Sequence, residues 1–152
     1  MNTDIIVKSD QKLSPSLENY MEAILDLETR NRVARVKEIA DILNVQMSSV
    51  TAALKNLKDR GMVNYEKNSY ISLSEKGKKI ASNIKRKHDI IKDFLTTILT
   101  MEEEEADRAA CEIEHSISIE AAYRLKNCSG FINKQKIEKS ISDNEWENII
   151  TR

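Results

Sequence analysis

The strongest constraint on the fold lies between residues 36 and 73, where the spacing of apolar residues changes character twice. Ile39, Ala40 and Leu43 recur at helical spacing, and so do Val50, Ala53, Leu54 and Leu57. Only Asn44-Val45-Gln46 stands between the two runs, a connection too short for anything but a tight turn. Ser48 or Ser49 is expected to cap the second run, and Gly61 to end it. The pattern then switches to two short β-prone runs, Met62-Val63-Asn64-Tyr65 and Tyr70-Ile71-Ser72-Leu73, around the polar turn Glu66-Lys67-Asn68-Ser69. Two short helices joined tightly and followed by a hairpin predict a winged helix-turn-helix.

The flanks extend this pattern. Residues 1–13 form a polar arm. Ser14-Pro15-Ser16 opens a helix carrying Leu17, Tyr20, Met21, Ile24, Leu25 and Leu27, which fades near Arg30-Asn31. Past the hairpin, Ser74 is expected to cap a long helix with the stripe Ile80, Ile84, Ile91, Phe94, Leu95 and Ile98. A fifth helix is expected to begin at the acidic run Glu102 to Glu105, as the helix dipole favours, and to continue to about Lys126. Asn127-Cys128-Ser129-Gly130 should break it, and a last helix should cover about residues 134–150. With three Gly and one Pro in 152 residues, there is little else to interrupt helices. The expected fold is mainly α: a winged-helix domain over residues 14–75, then an all-helical domain over residues 76–152.

No apolar run is long enough to span a bilayer, and the first residues lack a signal-peptide core, so a cytoplasmic protein is expected. The two widely spaced cysteines, Cys111 and Cys128, read as reduced thiols rather than a disulfide framework. The net charge of −1 conceals an asymmetry. Lys55 to Lys87 holds ten basic against three acidic residues, while Glu102 to Lys126 holds eight acidic against three basic. Such a sign change fits one half that meets a polyanion and another that does not, although solvated helix faces also carry charge runs.

One constellation carries chemistry. On a helix, Cys111, Glu114 and His115 stand at i, i+3 and i+4, so a thiol, a carboxylate and an imidazole share a face. These are three good ligand types for a borderline divalent metal. The chain's other histidine, His88, lies on the preceding long helix and can face this trio if the two helices pack antiparallel. The bland alternative is a surface Glu-His pair beside a small buried cysteine.

Ser16-Leu17-Glu18-Asn19-Tyr20-Met21-Glu22, Ser48-Ser49-Val50-Thr51, Leu73-Ser74-Glu75-Lys76-Gly77-Lys78-Lys79, Arg86-Lys87-His88 and Glu112-Ile113-Glu114-His115 follow one another in an order and spacing that resemble the diphtheria toxin repressor family of iron- and manganese-dependent regulators. The resemblance runs from about residue 14 to 127. It implies a winged-helix DNA-binding domain, a helical dimerisation and metal-sensing domain, and a short two-domain form without an SH3-like domain. It implies metal ligands at His88, Glu114 and His115, positions shared across the family. Cys111 matches the iron type, where the manganese type has glutamate. Glu22 matches a carboxylate of the manganese type. Asn19 departs from both, since the iron type has methionine there and the manganese type aspartate. The chain is thus a hybrid of the two ligand sets.

The function this implies is a homodimeric, metal-dependent repressor of double-stranded operator DNA that controls metal homeostasis genes, with Fe(II) favoured over Mn(II) and other divalent transition metals able to substitute. It is not an enzyme and involves no membrane. A cation held by both halves would fix the separation of two recognition helices, which must lie near one helical turn of DNA, about 34 Å. Ser48, Ser49 and Thr51 would open the recognition helix toward phosphates or base edges. Lys55, Arg60, Lys67, Lys78 and Lys79 would meet phosphates, and Arg32 and Arg35 could touch the DNA backbone. Tyr65 and Tyr70 read as wing packing, Cys128 as a small filler near a helix end, and Trp146 as packing for the last helix. A metal-independent winged-helix regulator sensing a small molecule explains the first half equally well but leaves the Cys111, Glu114 and His115 face as coincidence. A metallohydrolase would need an open site with a poised general base, and no HExxH-like signature is present.

Overall fold

The structure is a computed structural model that describes residues 13–31, 33–66, 69–138 and 140–151. The chain divides into two compact units, one up to Ala81 and one from Ser82.

The first unit holds α1 (Pro15–Asn31), α2 (Val36–Leu43), α3 (Met47–Asp59), β1 (Val63–Asn64), β2 (Ser72–Leu73) and the first turns of α4 (Glu75–Asp93). Ser14 Oγ accepts from Leu17 N at 3.3 Å and starts α1 as expected. Asn44 ends α2 in the left-handed conformation (φ 50°), which asparagine tolerates better than most residues, and α3 follows at once. The expected serine cap of α3 is not formed. Gln46 takes the cap position in extended geometry without a side-chain cap bond, because α3 begins at Met47 and both serines fall inside its first turn. The hairpin is antiparallel, with Val63 opposite Leu73 and Asn64 opposite Ser72. Ala34 adds a bridge to Ile71, and Glu28 on α1 accepts from Leu73 N at 3.2 Å, so the wing is tied to α1. Tyr20, Met21, Ile24, Leu27, Ile39, Val50, Leu54, Leu57, Met62, Val63, Ile71 and Leu73 form one continuous buried core. Leu13, expected in the arm, is part of that core; the rest of the arm lies outside the described residues.

Two glycines have geometric reasons. Gly61 adopts φ 68° just past α3. At Gly77 a Cβ would lie 2.0 Å from the Met62 carbonyl oxygen, so only glycine lets α4 pass this closely over the start of the wing. Ser74 fixes the same junction: its Oγ donates to the Gly61 carbonyl at 2.8 Å and accepts from Gly77 N at 3.0 Å.

The second unit holds the rest of α4, a π-helical turn at Phe94–Ile98, α5 (Glu103–Glu114), α6 (Ile119–Ile137) and α7 (Asp143–Ile150). The long helix changes to π geometry at Phe94, where the Thr96 and Thr97 hydroxyls donate back to the Lys92 and Asp93 carbonyls at 3.0 and 2.6 Å. The expected single helix to Lys126 is two helices, broken at Ser116–Ser118, where Ser118 Oγ accepts from Ala121 N and starts a new one. No break occurs at residues 127–130: one glycine costs a helix only about 1 kcal/mol, and α6 runs through Gly130 to Ile137. Cys128 is therefore exposed in mid-helix rather than a filler at an end. The last helix starts at Asp143, not near residue 134, because Ser142 and Glu145 form a reciprocal capping box. Ile91, Leu95, Ala106 and Ala110 form the buried centre of this unit, flanked by half-buried Phe94, Met101, Ile113, Ile117 and Leu125. Trp146 Nε1 donates to the Ile98 carbonyl at 2.6 Å and ties α7 to the π-helical turn.

Candidate functional site

In the second unit, α5 delivers the trio. Three and four residues apart, Cys111, Glu114 and His115 bring one donor atom each to within 4.8 Å of one another. His115 is the residue that ends α5, still in helical geometry, so it keeps the face set by the helix. Cys111 lies at the exposed edge and is not the buried small residue of the bland reading. Glu114 is 0% exposed. A bare carboxylate is expensive to bury and needs compensating charge and hydrogen bonds. His88 supplies part of this: its Nδ1 donates to Glu114 Oε2 at 2.8 Å, so α4 and α5 do bring the two histidines to one cluster. Glu114 Oε1 lies 3.4 Å from His115 Nε2 and makes no hydrogen bond among the described residues. An oxygen of this kind beside a thiol and an imidazole is what a divalent cation would satisfy, and the donor set fits a metal.

Behind His88 lies a second row that sequence reading passed over. His88 Nε2 donates to Asp107 Oδ1 at 3.3 Å, and Lys92 Nζ donates to the same oxygen at 2.8 Å. The bond to Glu114 raises the His88 pKa above the usual imidazole value; burial opposes this, and Asp107 adds to the rise. Lys92 in turn holds the Asp107 carboxyl below the usual range. Lys87 Nζ donates to the Glu114 and Ile117 carbonyls, placing a cation at the C-terminal end of α5. The signal for the second row was present as spacing: Asp107 is four residues before Cys111, and Lys92 four after His88. Asn19 and Glu22 belong to α1 in the first unit, three residues apart and so on neighbouring positions of one helix face. Asn19 Oδ1 is buried without a hydrogen bond among the described residues.

The first unit carries a groove of about 960 Å³ between α3 and the wing, lined by Arg35, Met47, Thr51, Lys55, Lys58 and Tyr70 among others. Arg35 lies 5.2 Å over the Tyr70 ring, and Tyr70 is exposed rather than packed into the wing, while Tyr65 packs on the core. Ser48 and Ser49 are exposed on the first turn of α3, and Lys78 and Lys79 on α4. Lys67 and Arg32 lie outside the described residues. Sequence reading did not single out Met47 or Lys58, although both follow the helical period of the Thr51 and Lys55 face.

A winged helix-turn-helix with a basic groove, followed by a helical unit with a metal-ligand cluster, defines a transcription regulator of the metal-responsive class. Residues 12–71 match the iron dependent repressor N-terminal DNA binding domain, and residues 74–143 the iron dependent repressor metal binding and dimerisation domain. The chain is 42% identical over 115 residues to the uncharacterized HTH-type transcriptional regulator MJ0568 of Methanocaldococcus jannaschii, covering 75% of this chain and 92% of the relative. Among solved structures it is similar to IdeR of T. acidophilum (26% identity, TM-score 0.67, 74% of this chain and 53% of that one). It is also similar to the manganese regulator SloR (30% identity, TM-score 0.67, 80% of this chain and 55% of that one). The chain thus spans about half the length of these two solved relatives. The chain belongs to the iron-dependent repressor family. It is a DNA-binding transcriptional regulator and not an enzyme. Among the described residues, no helix is long and apolar enough to cross a membrane.

Proposed function

We propose that the chain is a metal-dependent repressor that binds operator DNA as a homodimer when loaded with a divalent cation, Fe(II) ahead of Mn(II). The observation that carries this reading is Glu114, a buried carboxylate with one oxygen unbonded among the described residues, beside Cys111 and His115. Cys111, Glu114 and His115 are the proposed donors, with His88 adjoining through Glu114. Glu22 and Asn19 are proposed as further donors on the family resemblance, and Glu22→Gln tests the charged one. The likeness to a manganese regulator keeps Mn(II) in view, while the thiol of Cys111 favours a softer ion. A bound cation neutralises carboxylates that otherwise repel, and its leverage on DNA binding is its differential affinity for the DNA-competent state. Ser48, Ser49, Thr51, Lys55 and Arg35 are proposed to meet DNA from α3 and the groove beside it, and Lys67, Lys78 and Lys79 to meet phosphates.

Selection from a randomised duplex pool, run anaerobically with Fe(II), with Mn(II) and with chelator, tests the proposal. Enrichment of a palindromic site only with metal, and its loss in His115→Ala while the far-ultraviolet spectrum is kept, is the expected result. Equal enrichment with chelator would overturn it in favour of a metal-independent regulator.

A further inference from the structure

The wing meets the start of α2 through one backbone bridge. Ala34 N donates to the Ile71 carbonyl at 3.2 Å, and Ile71 N donates to the Ala34 carbonyl at 2.9 Å. Both residues are fully buried. Successive side chains of an extended segment point to opposite faces. The next residues out, Arg35 and Tyr70, therefore turn away from the core, and the register places them opposite each other. Because Ala34 and Ile71 exchange both bonds, the Arg35 and Tyr70 pair is of the non-hydrogen-bonded kind, whose side chains lie closer. Arg35 keeps extended backbone (φ −124°, ψ 150°) at the cap of α2, and its Cζ stands 5.2 Å over the centre of the Tyr70 ring.

A second contact steadies the same guanidinium. Arg35 Nη1 donates to Glu38 Oε1 at 3.5 Å, one turn along α2. The Arg35 side chain is 56% exposed and Tyr70 58%. Contacts this exposed add little to the stability of the fold. What they do is order a long side chain at the surface. An arginine that rotates freely gives up rotamer entropy when it grips a ligand, and one already lying on a ring gives up less. Arg35 and Tyr70 line the groove that also holds Thr51 and Lys55 of α3. In a helix-turn-helix the second helix enters the DNA groove while the first crosses the backbone. Arg35 stands at the start of that first helix, α2.

We propose that Tyr70 is a positioning residue for DNA binding, its ring holding the Arg35 guanidinium ready for a backbone phosphate, so that the wing acts on DNA through α2. This rests on the reading of Arg35 as a DNA contact. Tyr70 thereby sets how tightly the chain holds a duplex without reading its sequence and without adding a charge.

Two measurements on the full chain test this. In proton NMR, the Arg35 Hδ resonances should lie upfield of their usual position through the ring current of Tyr70. Tyr70→Phe should keep that shift and Tyr70→Leu should lose it. Binding to a fluorescein-labelled duplex of mixed sequence, followed by anisotropy across a series of salt concentrations, gives the second readout. Tyr70→Leu should weaken binding about two- to five-fold, the worth of an exposed cation–π contact, with the salt slope unchanged. Tyr70→Phe should bind as the parent does. Arg35→Gln should lower the salt slope by about one, as loss of a phosphate contact does, and Tyr70→Leu added to it should cost nothing more. Arg35→Gln with affinity and slope unchanged overturns the reading of Arg35 beneath. A lowered slope in Arg35→Gln, with no loss in Tyr70→Leu, overturns the role of Tyr70 alone. So does a Tyr70→Leu loss that persists in the Arg35→Gln background, which would mean that Tyr70 touches DNA itself, or a Tyr70→Phe variant as weak as Tyr70→Leu.

Discussion

The two units of this chain are built on different physical terms. In the first, eighteen buried apolar residues among those described, most of them on α1, α2, α3 and the wing, form one cluster. In the second, the corresponding cluster among the described residues has four, two of them alanines, and the Glu114 carboxylate is as fully buried as those alanines. Fully burying a large aliphatic side chain contributes about 1.5–3 kcal/mol. The first unit is therefore held by apolar burial, while the second depends more on ion pairs, caps and whatever its acidic cluster binds. Tyr123, Phe131, Ile137 and Ile149 remain exposed on α6 and α7 in the single chain, in a unit whose family match includes dimerisation. On the proposed function, a unit held by apolar burial reads DNA and the unit with the smaller apolar core responds to the cation.

The sharpest break in the comparison is Gly77→Ala. The added Cβ meets a backbone oxygen at 2.0 Å, and backbone cannot rotate away as a side chain would. The loss should be on the order of 3 kcal/mol, the upper end for overpacking, and should fall on the first unit. The only tryptophan, Trp146, lies in the second unit, so the two can be followed separately. Chemical denaturation should show the far-ultraviolet signal shifting far more than tryptophan emission. Equal shifts in both would mean that the two units unfold as one, and the comparison would fail.

Next in size is metal. At a free concentration a hundred times its dissociation constant, a ligand specific to the folded state stabilises by about 2.7 kcal/mol. Saturating Co(II) or Mn(II) should therefore raise the tryptophan-reported transition most, and Glu22→Gln should remove the part of the rise that reaches the first unit. Cys111→Ser should reduce the Co(II) and Zn(II) effects more than the Mn(II) effect, because it replaces a soft donor with a hard, weakly ionised one. Equal losses for all three ions would remove Cys111 from the donor set.

What was legible in the sequence follows the same division. The winged helix could be read because its local signals and its packing agree: the apolar period of α2 and α3, Asn44 at the turn, Gly61 past α3 and the two β-prone runs all point one way. In the second unit the trio on α5 was legible, because three ligand types at i, i+3 and i+4 need only one helix to meet. The helix boundaries were not. Asn127-Cys128-Ser129-Gly130 looks like a stop, but its average cost is small against the rest of α6. The true breaks rest on a lone hydroxyl cap at Ser118, which looks like any other serine, and on the capping box of Ser142 and Glu145, whose Ser-x-x-Glu spacing was present in the sequence but passed over. The Lys92 and Asp107 row was hidden for a different reason: ion pairs between helices depend on how those helices pack, which local pattern does not specify.

The smallest predicted effect tests whether caps do matter in the second unit. Ser142 N and Oγ both donate to Glu145 Oε2, at 2.9 and 2.7 Å, and Glu145 N donates back to Ser142 Oγ at 3.3 Å. These bonds hold the Glu145 carboxyl below the usual glutamate range, the bond from the Ser142 backbone first. A depressed folded value means the carboxylate's contribution is fully present above the unfolded value and is lost as pH falls through the folded one. The start of α7 should therefore be unchanged from neutral pH into the ordinary glutamate range and loosen only below it. Trp146 reports this directly, because it sits on the first turn of α7 and its indole bonds to Ile98. Its emission should show an acid step that Glu145→Gln abolishes, since an amide can still accept the bonds but does not titrate there. Ser142→Ala should cost about 1 kcal/mol, the usual worth of such a cap, and should weaken the same step. A step that persists unchanged in Glu145→Gln would assign it to other carboxylates of the unit and show that α7 is held by Trp146 rather than by its cap.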